Sequence, residues 1–261
     1  MRAKILFALM VFASLFMSPF NAMAEDGFDH SAWSDIVTEY VDESGLVDYQ
    51  GLKANRQDFD AYVERIETIS PASHPEQFPD EASELAYYMN AYNALVFKGV
   101  LKRGPEKKSV WRGLISGYNF FVKMKIKVGG DVTNLKKLED DIIREKYKDP
   151  RIHAAINCAS ISCPRLLRTA FTGADLEEQL DSVMHEFVNS EAHVKIDASN
   201  NSVRISKIFD WFDKDFLEYE AAQNNSSPSL LDYINRYRET PIPKEYKVRF
   251  LSYNKNINDQ K

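Results

Sequence analysis

The stretch ELAYYMNAYNALVFKGV (84–100) sets Leu85, Tyr88, Met89, Tyr92, Val96 and Val100 at helical spacing. A helix this apolar has to be enclosed, so the rest of the chain must wrap it. Wrapping elements are present. Trp33, Ile36, Val37, Tyr40 and Val41 recur at helical intervals, as do Phe59, Tyr62, Val63, Ile66 and Ile69. Leu135, Leu138, Ile142 and Ile143 predict a helix over 133–147, with Thr133 or Asn134 as its N-cap. Leu176, Leu180, Val183, Met184 and Phe187 mark another over 173–190, and SPSLLDYINRYR (227–238) a last one opened by proline.

Elsewhere the period falls to two. In VKMKIKV (122–128) apolar residues alternate with Lys123, Lys125 and Lys127, which predicts a strand with lysines on its outer face. HVKIDASNNSVRIS (193–206) reads as a hairpin turning at 198–201, and YKVRFLSY (246–253) as a closing strand. RIHAAINC (151–158) also alternates, with His153, Ala155 and Asn157 on one face and Ile152, Ala154, Ile156 and Cys158 on the other. The fold class expected is α+β: residues 25–261 as a single helix-rich domain with a small antiparallel sheet.

Residues 5–17 are an apolar run behind Arg2 and Lys4, and Ala22-Met23-Ala24 is a signal-peptidase pattern. The run is shorter than the roughly 20 residues a membrane span needs, so residues 1–24 read as a secretory signal peptide. Cleavage after Ala24 would leave an exported protein, periplasmic or secreted, with no transmembrane segment. Without Arg2 and Lys4, 31 basic residues face 39 acidic ones, a net charge of −8. Such a chain is not built as a general nucleic-acid binder. Roughly 237 residues can bury a full core, so the two cysteines are not needed as scaffold. In an oxidising compartment they are expected to pair.

No G-x-G-x-x-G, G-x-x-x-x-G-K, G-x-S-x-G or H-E-x-x-H occurs, and no cofactor is implied. DWFDKDF (210–216) lacks the glycine and closing glutamate of a calcium loop; Phe209, Trp211, Phe212 and Phe216 suit a core, and the aspartates suit caps or water. RIHAAINCASISCP (151–164) gathers both cysteines and one of the five histidines. Pro164 favours a helix start, which would make Cys163 an N-cap with a dipole-lowered pKa. Several readings stay open. A Cys158–Cys163 disulfide would contribute about 2 kcal/mol through loop closure. A nucleophile, Cys158 or Cys163, could use His153 as base, although a strand puts His153 and Cys158 on opposite faces. A zinc site would need further ligands and an unusual C-x4-C spacing, and two buried inert thiols complete the set.

Asn90 and Asn93, with Glu84 and Tyr92, place polar groups on or beside the buried helix. They either tie it to a neighbouring loop or line a cleft with His153 and Asn157. Nine basic side chains fall within 98–127, interleaved with Trp111, Tyr118, Phe120 and Phe121. This is a solvated face, or a surface for an anionic polymer in which Lys123, Lys125 and Lys127 make the contacts.

GLVDY (45–49), YYMNAYNAL (87–95), LKKLEDDIIRE (135–145), DPRIHAAINCASISCPRL (149–166) and SKIFDWFDKDF (206–216) resemble, in that order, the domain of unknown function 547 family, with a family core over about 80–216. The resemblance implies an exported single-domain protein but no established activity, substrate or cofactor. Relatives fused to glutaredoxin-like modules hint at thiol chemistry. The positions it carries over are His153, Asn157, Cys158, Cys163 and Pro164, with Asn90, Tyr92 and Asn93. Ala154 stands where the family often has an aromatic residue, and YNKNIND (253–259) resembles the usual tail only loosely. Two functions compete. One is a disulfide-pinned envelope module whose His-centred cleft binds a small molecule, an envelope protein or an anionic polymer. The other is an acyl-transfer or hydrolytic enzyme with Cys158 or Cys163 as nucleophile and His153 as base.

Overall fold

A computed structural model describes residues 27–111 and 116–260. The signal peptide expected over 1–24 lies outside the described residues, as does Arg112. Helix α4 (Glu81–Arg103) is buried on nearly every side from Leu85 to Leu101, opens with a reciprocal Asp80–Ser83 capping box, and stops at Gly104. Helices α1 (Ser31–Tyr40), α2 (Tyr49–Ala54) and α3 (Gln57–Thr68) form where the apolar spacing predicts helix or just after it breaks. Of these, α2 and α3 pack directly on α4, and α1 on α3. The bend between α1 and α2 depends on Gly45, whose φ is +78°; a Cβ there would lie 2.5 Å from Arg165 Cγ and 2.8 Å from Leu166 N.

The expected strand over 122–128 shrinks to β1 (Ile126–Val128), paired antiparallel with β2 (Asp131–Thr133). Before it, α5 (Ser116–Tyr118) runs into a π-helical turn, Asn119–Lys123. The reason is that Phe120 and Phe121 are both buried. Adjacent residues of a strand point to opposite faces, whereas a wide helical turn can send both inward. A second π-helical segment, Leu138–Arg144, interrupts the predicted 133–147 helix between α6 (Leu135–Lys137) and α7 (Glu145–Tyr147). Asn134 caps it by accepting from the Lys137 N–H.

The strand expected over 151–158 is instead a one-turn helix, α8 (Ile152–Ala155). Every residue from Ile152 to Asn157 is buried, so alternation there did not separate an inner from an outer face. No helix starts at Pro164 either; the chain stays irregular until α9 (Leu176–Asn189), and Cys163 is not an N-cap.

The second half holds β3 (Val194–Asp197) and β4 (Ser202–Ile205), then α10 (Ile208–Trp211), α11 (Asp213–Ala222), α12 (Leu230–Tyr237) and β5 (Lys247–Phe250). β3 and β4 form the expected antiparallel hairpin, but β5 joins β4 in parallel. Parallel pairing needs a long crossover, and α10 to α12 supply it. The fold is α+β, helix-rich with two small sheets. Among the described residues no helix is long and apolar enough to cross a membrane.

Candidate active site

The site is built around the loop after α8, and its first support is an amide on α4. Asn93 donates from Nδ2 to the Ala155 carbonyl at 3.1 Å and accepts the Asn157 N–H at Oδ1, 2.9 Å away. Asn157 repeats the device one turn on: its Nδ2 donates to the Pro164 carbonyl and its Oδ1 accepts the Ala159 N–H. Ala159, fully buried with φ +59°, is held in the left-handed region by these bonds. The chain from Cys158 to Cys163 is thereby closed into a tight loop. The C-terminal segment lies along it, with Ile161 N–H on the Asn256 carbonyl and Ser162 N–H on the Asn254 carbonyl.

The expected disulfide is absent. Cys158 and Cys163 are free thiols with their Sγ atoms 2.8 Å apart, a separation outside the roughly 2.05 Å of a covalent bridge. Cys158 is half-buried and Cys163 buried. The C-terminal segment delivers Tyr253, whose hydroxyl is 3.3 Å from Cys158 Sγ and 3.2 Å from Cys163 Sγ. The Cys163 hydrogen bond, with those of Ser160 and Tyr253, outweighs burial and lowers the Cys158 pKa to about 7. Burial and the neighbouring charge push Cys163 the other way. The thiolate is therefore favoured on Cys158 and the proton on Cys163.

Both sulfurs open on a cavity of about 180 Å³. Tyr92, Trp111, Phe121, Phe212 and Trp211 make its aromatic wall, and Lys136, Glu139, Asp140 and His153 its charged and polar part. Each π-helical segment contributes here: Phe121 from the first, Glu139 and Asp140 from the second. Such segments recur at functional sites. Trp211 is 43% exposed at the mouth and packs on Tyr253 at 4.7 Å. Trp111 is fixed by its Nε1–H to Ser160 Oγ, 3.0 Å.

His153 stacks on Phe212 at 4.1 Å, with Nε2 2.8 Å from Asp215 Oδ2. Arg144 reaches the same carboxylate through Nε at 2.8 Å and Nη2 at 3.0 Å, and donates to Asp140 as well. Burial pushes the His153 pKa down, so the ring is neutral at neutral pH. Burial alone would raise Asp215, but the His153 and Arg144 bonds hold it well below the usual carboxylate range. No hydrogen bond joins His153 to either sulfur among the described residues.

The other residues singled out by sequence have different placements. Asn90 lies outside the cavity and clamps Phe171 through both its N–H and its carbonyl. Glu84 bonds Lys146 and Tyr147 of α7 and does not line this cavity. Asn157 faces a second cavity of about 200 Å³, behind the loop, which Cys163 also borders. Lys123, Lys125 and Lys127 are exposed, with Lys123 over the Tyr118 ring at 5.5 Å. No group of three or more His, Cys, Asp or Glu side chains among the described residues is arranged to hold a metal.

Sequence reasoning missed Asp215, Arg144, Glu139 and Tyr253. Asp215 lies in an acidic run read as caps and solvent contacts, and Tyr253 in the tail that looked least distinctive. Over residues 75–188 the chain matches the family described as "Protein of unknown function, DUF547". That span includes Tyr92, Glu139, His153 and both cysteines; Trp211, Phe212, Asp215 and Tyr253 come from beyond it. Neither the curated proteins nor the solved structures contain a match to the chain.

Proposed function

Since this chain belongs, through residues 75–188, to the DUF547 family of proteins of unknown function, whose name assigns no chemistry, we propose its activity from the site: it is a thiol–disulfide exchange protein in which Cys158 attacks and Cys163 resolves. The observation that carries this is the pair of free sulfurs 2.8 Å apart beneath one tyrosine hydroxyl, at the floor of a cavity. A thiolate is the nucleophile in such exchange, and a neighbouring thiol can then displace it from the mixed disulfide. The balance closes without a cofactor. Cys158 thiolate attacks a substrate disulfide, releasing one thiolate and forming a mixed disulfide. Cys163 then gives up its proton and attacks Cys158 Sγ, releasing the second thiol and leaving the two cysteines bridged.

Acyl transfer with His153 as base has weaker support, because its Nε2 is committed to Asp215 and Cys158 needs no base to ionise near neutrality. Mixing the protein with a model aromatic disulfide tests the proposal. Wild type is expected to release two coloured thiols per chain, and Cys163→Ser one, with a stable mixed disulfide on Cys158 visible by mass spectrometry. A folded wild type that releases none sinks the exchange reading.

Export belongs to the same proposal, supported by the leader and cleavage pattern over 1–24. The protein isolated after export is expected to begin at Glu25; an intact Met1 in that fraction would count against it.

A further inference from the structure

Resting on the exchange reading, one step still lacks a named group: Cys163, buried and holding its proton, has to lose it in order to resolve the mixed disulfide. Glu139 stands in the right place. It is half-buried on the π-helical segment and lines the same cavity as both sulfurs. Its Oε2 accepts from the Tyr92 hydroxyl at 2.7 Å. Arg144 on the same segment and Lys136 on α6 both bond Asp140 instead. A carboxyl in an aromatic-walled cavity, held by a neutral hydroxyl, is poised to take up a proton and release it again, and burial accordingly raises its pKa.

We propose that Glu139 is the proton carrier of the thiol pair. Its carboxylate takes the Cys163 proton through water in the cavity as that thiol attacks the Cys158 mixed disulfide. The resulting acid protonates the departing thiolate, so Glu139 ends the cycle as it began and the substrate leaves as a thiol. Other ionisable groups facing this exchange are Tyr92 from α4, Lys136 from α6, Asp140 and Arg144 from its own segment, and His153 and Tyr253 across the cavity. His153 is less suited to the task because Asp215 holds its Nε2.

The test is stopped-flow release of coloured thiol from a model aromatic disulfide, with full-length wild type, Glu139→Gln and Glu139→Asp. The first phase reports attack by Cys158, the second resolution by Cys163. In Glu139→Gln the first phase is expected to be no slower than wild type, because the Glu139 charge itself raises the Cys158 pKa. The second should slow by about a hundredfold near pH 6, the deficit closing as pH rises and Cys163 ionises unaided. Glu139→Asp should recover much of the loss. A second phase unchanged in Glu139→Gln at every pH would overturn the proposal, as would an equal slowing of both phases that aspartate does not relieve. A wild type with no second phase would instead defeat the exchange reading, so the two failures are told apart.

Discussion

Replacing Cys163 by alanine is expected to move the pH midpoint for alkylation of Cys158 from about 7 toward the ordinary thiol range near 9. The sign follows from the hydrogen bond. The Cys163 thiol donates to the Cys158 thiolate across 2.8 Å and favours the charged form, so its removal favours the neutral one. At pH 7 a midpoint of 9 leaves about 1% thiolate against about half in wild type, roughly a fiftyfold loss. Part of this is returned, because a more basic thiolate is a better nucleophile by roughly five- to tenfold over two pH units. The net expectation is alkylation about five to ten times slower at pH 7 and faster than wild type above about pH 8. Iodoacetamide kinetics across that range measure it. Tyr253→Phe should move the midpoint in the same direction by less, since its hydroxyl is farther from Cys158 and divided between both sulfurs. An unmoved midpoint in the alanine variant would mean that Cys163 does not tune Cys158.

The sequence made some of this legible and concealed the rest for identifiable reasons. Long amphipathic stretches such as 57–68 and 176–189 could be read because one face of each is wet, which leaves a period in the residues. Around the thiols that contrast vanishes. From Ile152 to Asn157 both faces are dry, so His-Ala-Ala-Ile-Asn carried no signal separating strand from helix. The proximity of Cys158 and Cys163 was evident from their spacing, but not whether a bond joins them, since the same separation in sequence serves both. Asp215, Tyr253 and Trp211 reach the site only because α10 and α11 fold back against α8 and the C-terminal segment returns along the cysteine loop. Those are long-range placements, and no local pattern encodes them. Asn93 is the informative intermediate: its presence on a buried helix said that something must satisfy it, without saying what.

That amide sets the second large expectation. Asn93→Leu keeps the branched outline of the side chain but leaves the Ala155 carbonyl and the Asn157 N–H, both buried, without partners. An unmet buried group costs about 1–3 kcal/mol, so the pair should cost about 2–6 kcal/mol less whatever the extra apolar surface returns. For a domain stable by about 5–15 kcal/mol this is a large share, measurable as a lower midpoint in urea with an unchanged slope. The same substitution frees the start of the cysteine loop, so the Cys158 alkylation midpoint should rise as well. Asn90→Leu supplies the contrast. It breaks a similar double clamp, on Phe171, and should destabilise by a comparable amount while leaving the thiol titration alone, because nothing in that clamp touches the loop. Equal shifts of the thiol midpoint in both variants would show that general loosening, rather than this one clamp, governs the distance between the sulfurs. A shift confined to Asn93→Leu ties the reactivity of Cys158 to a single amide on the buried helix.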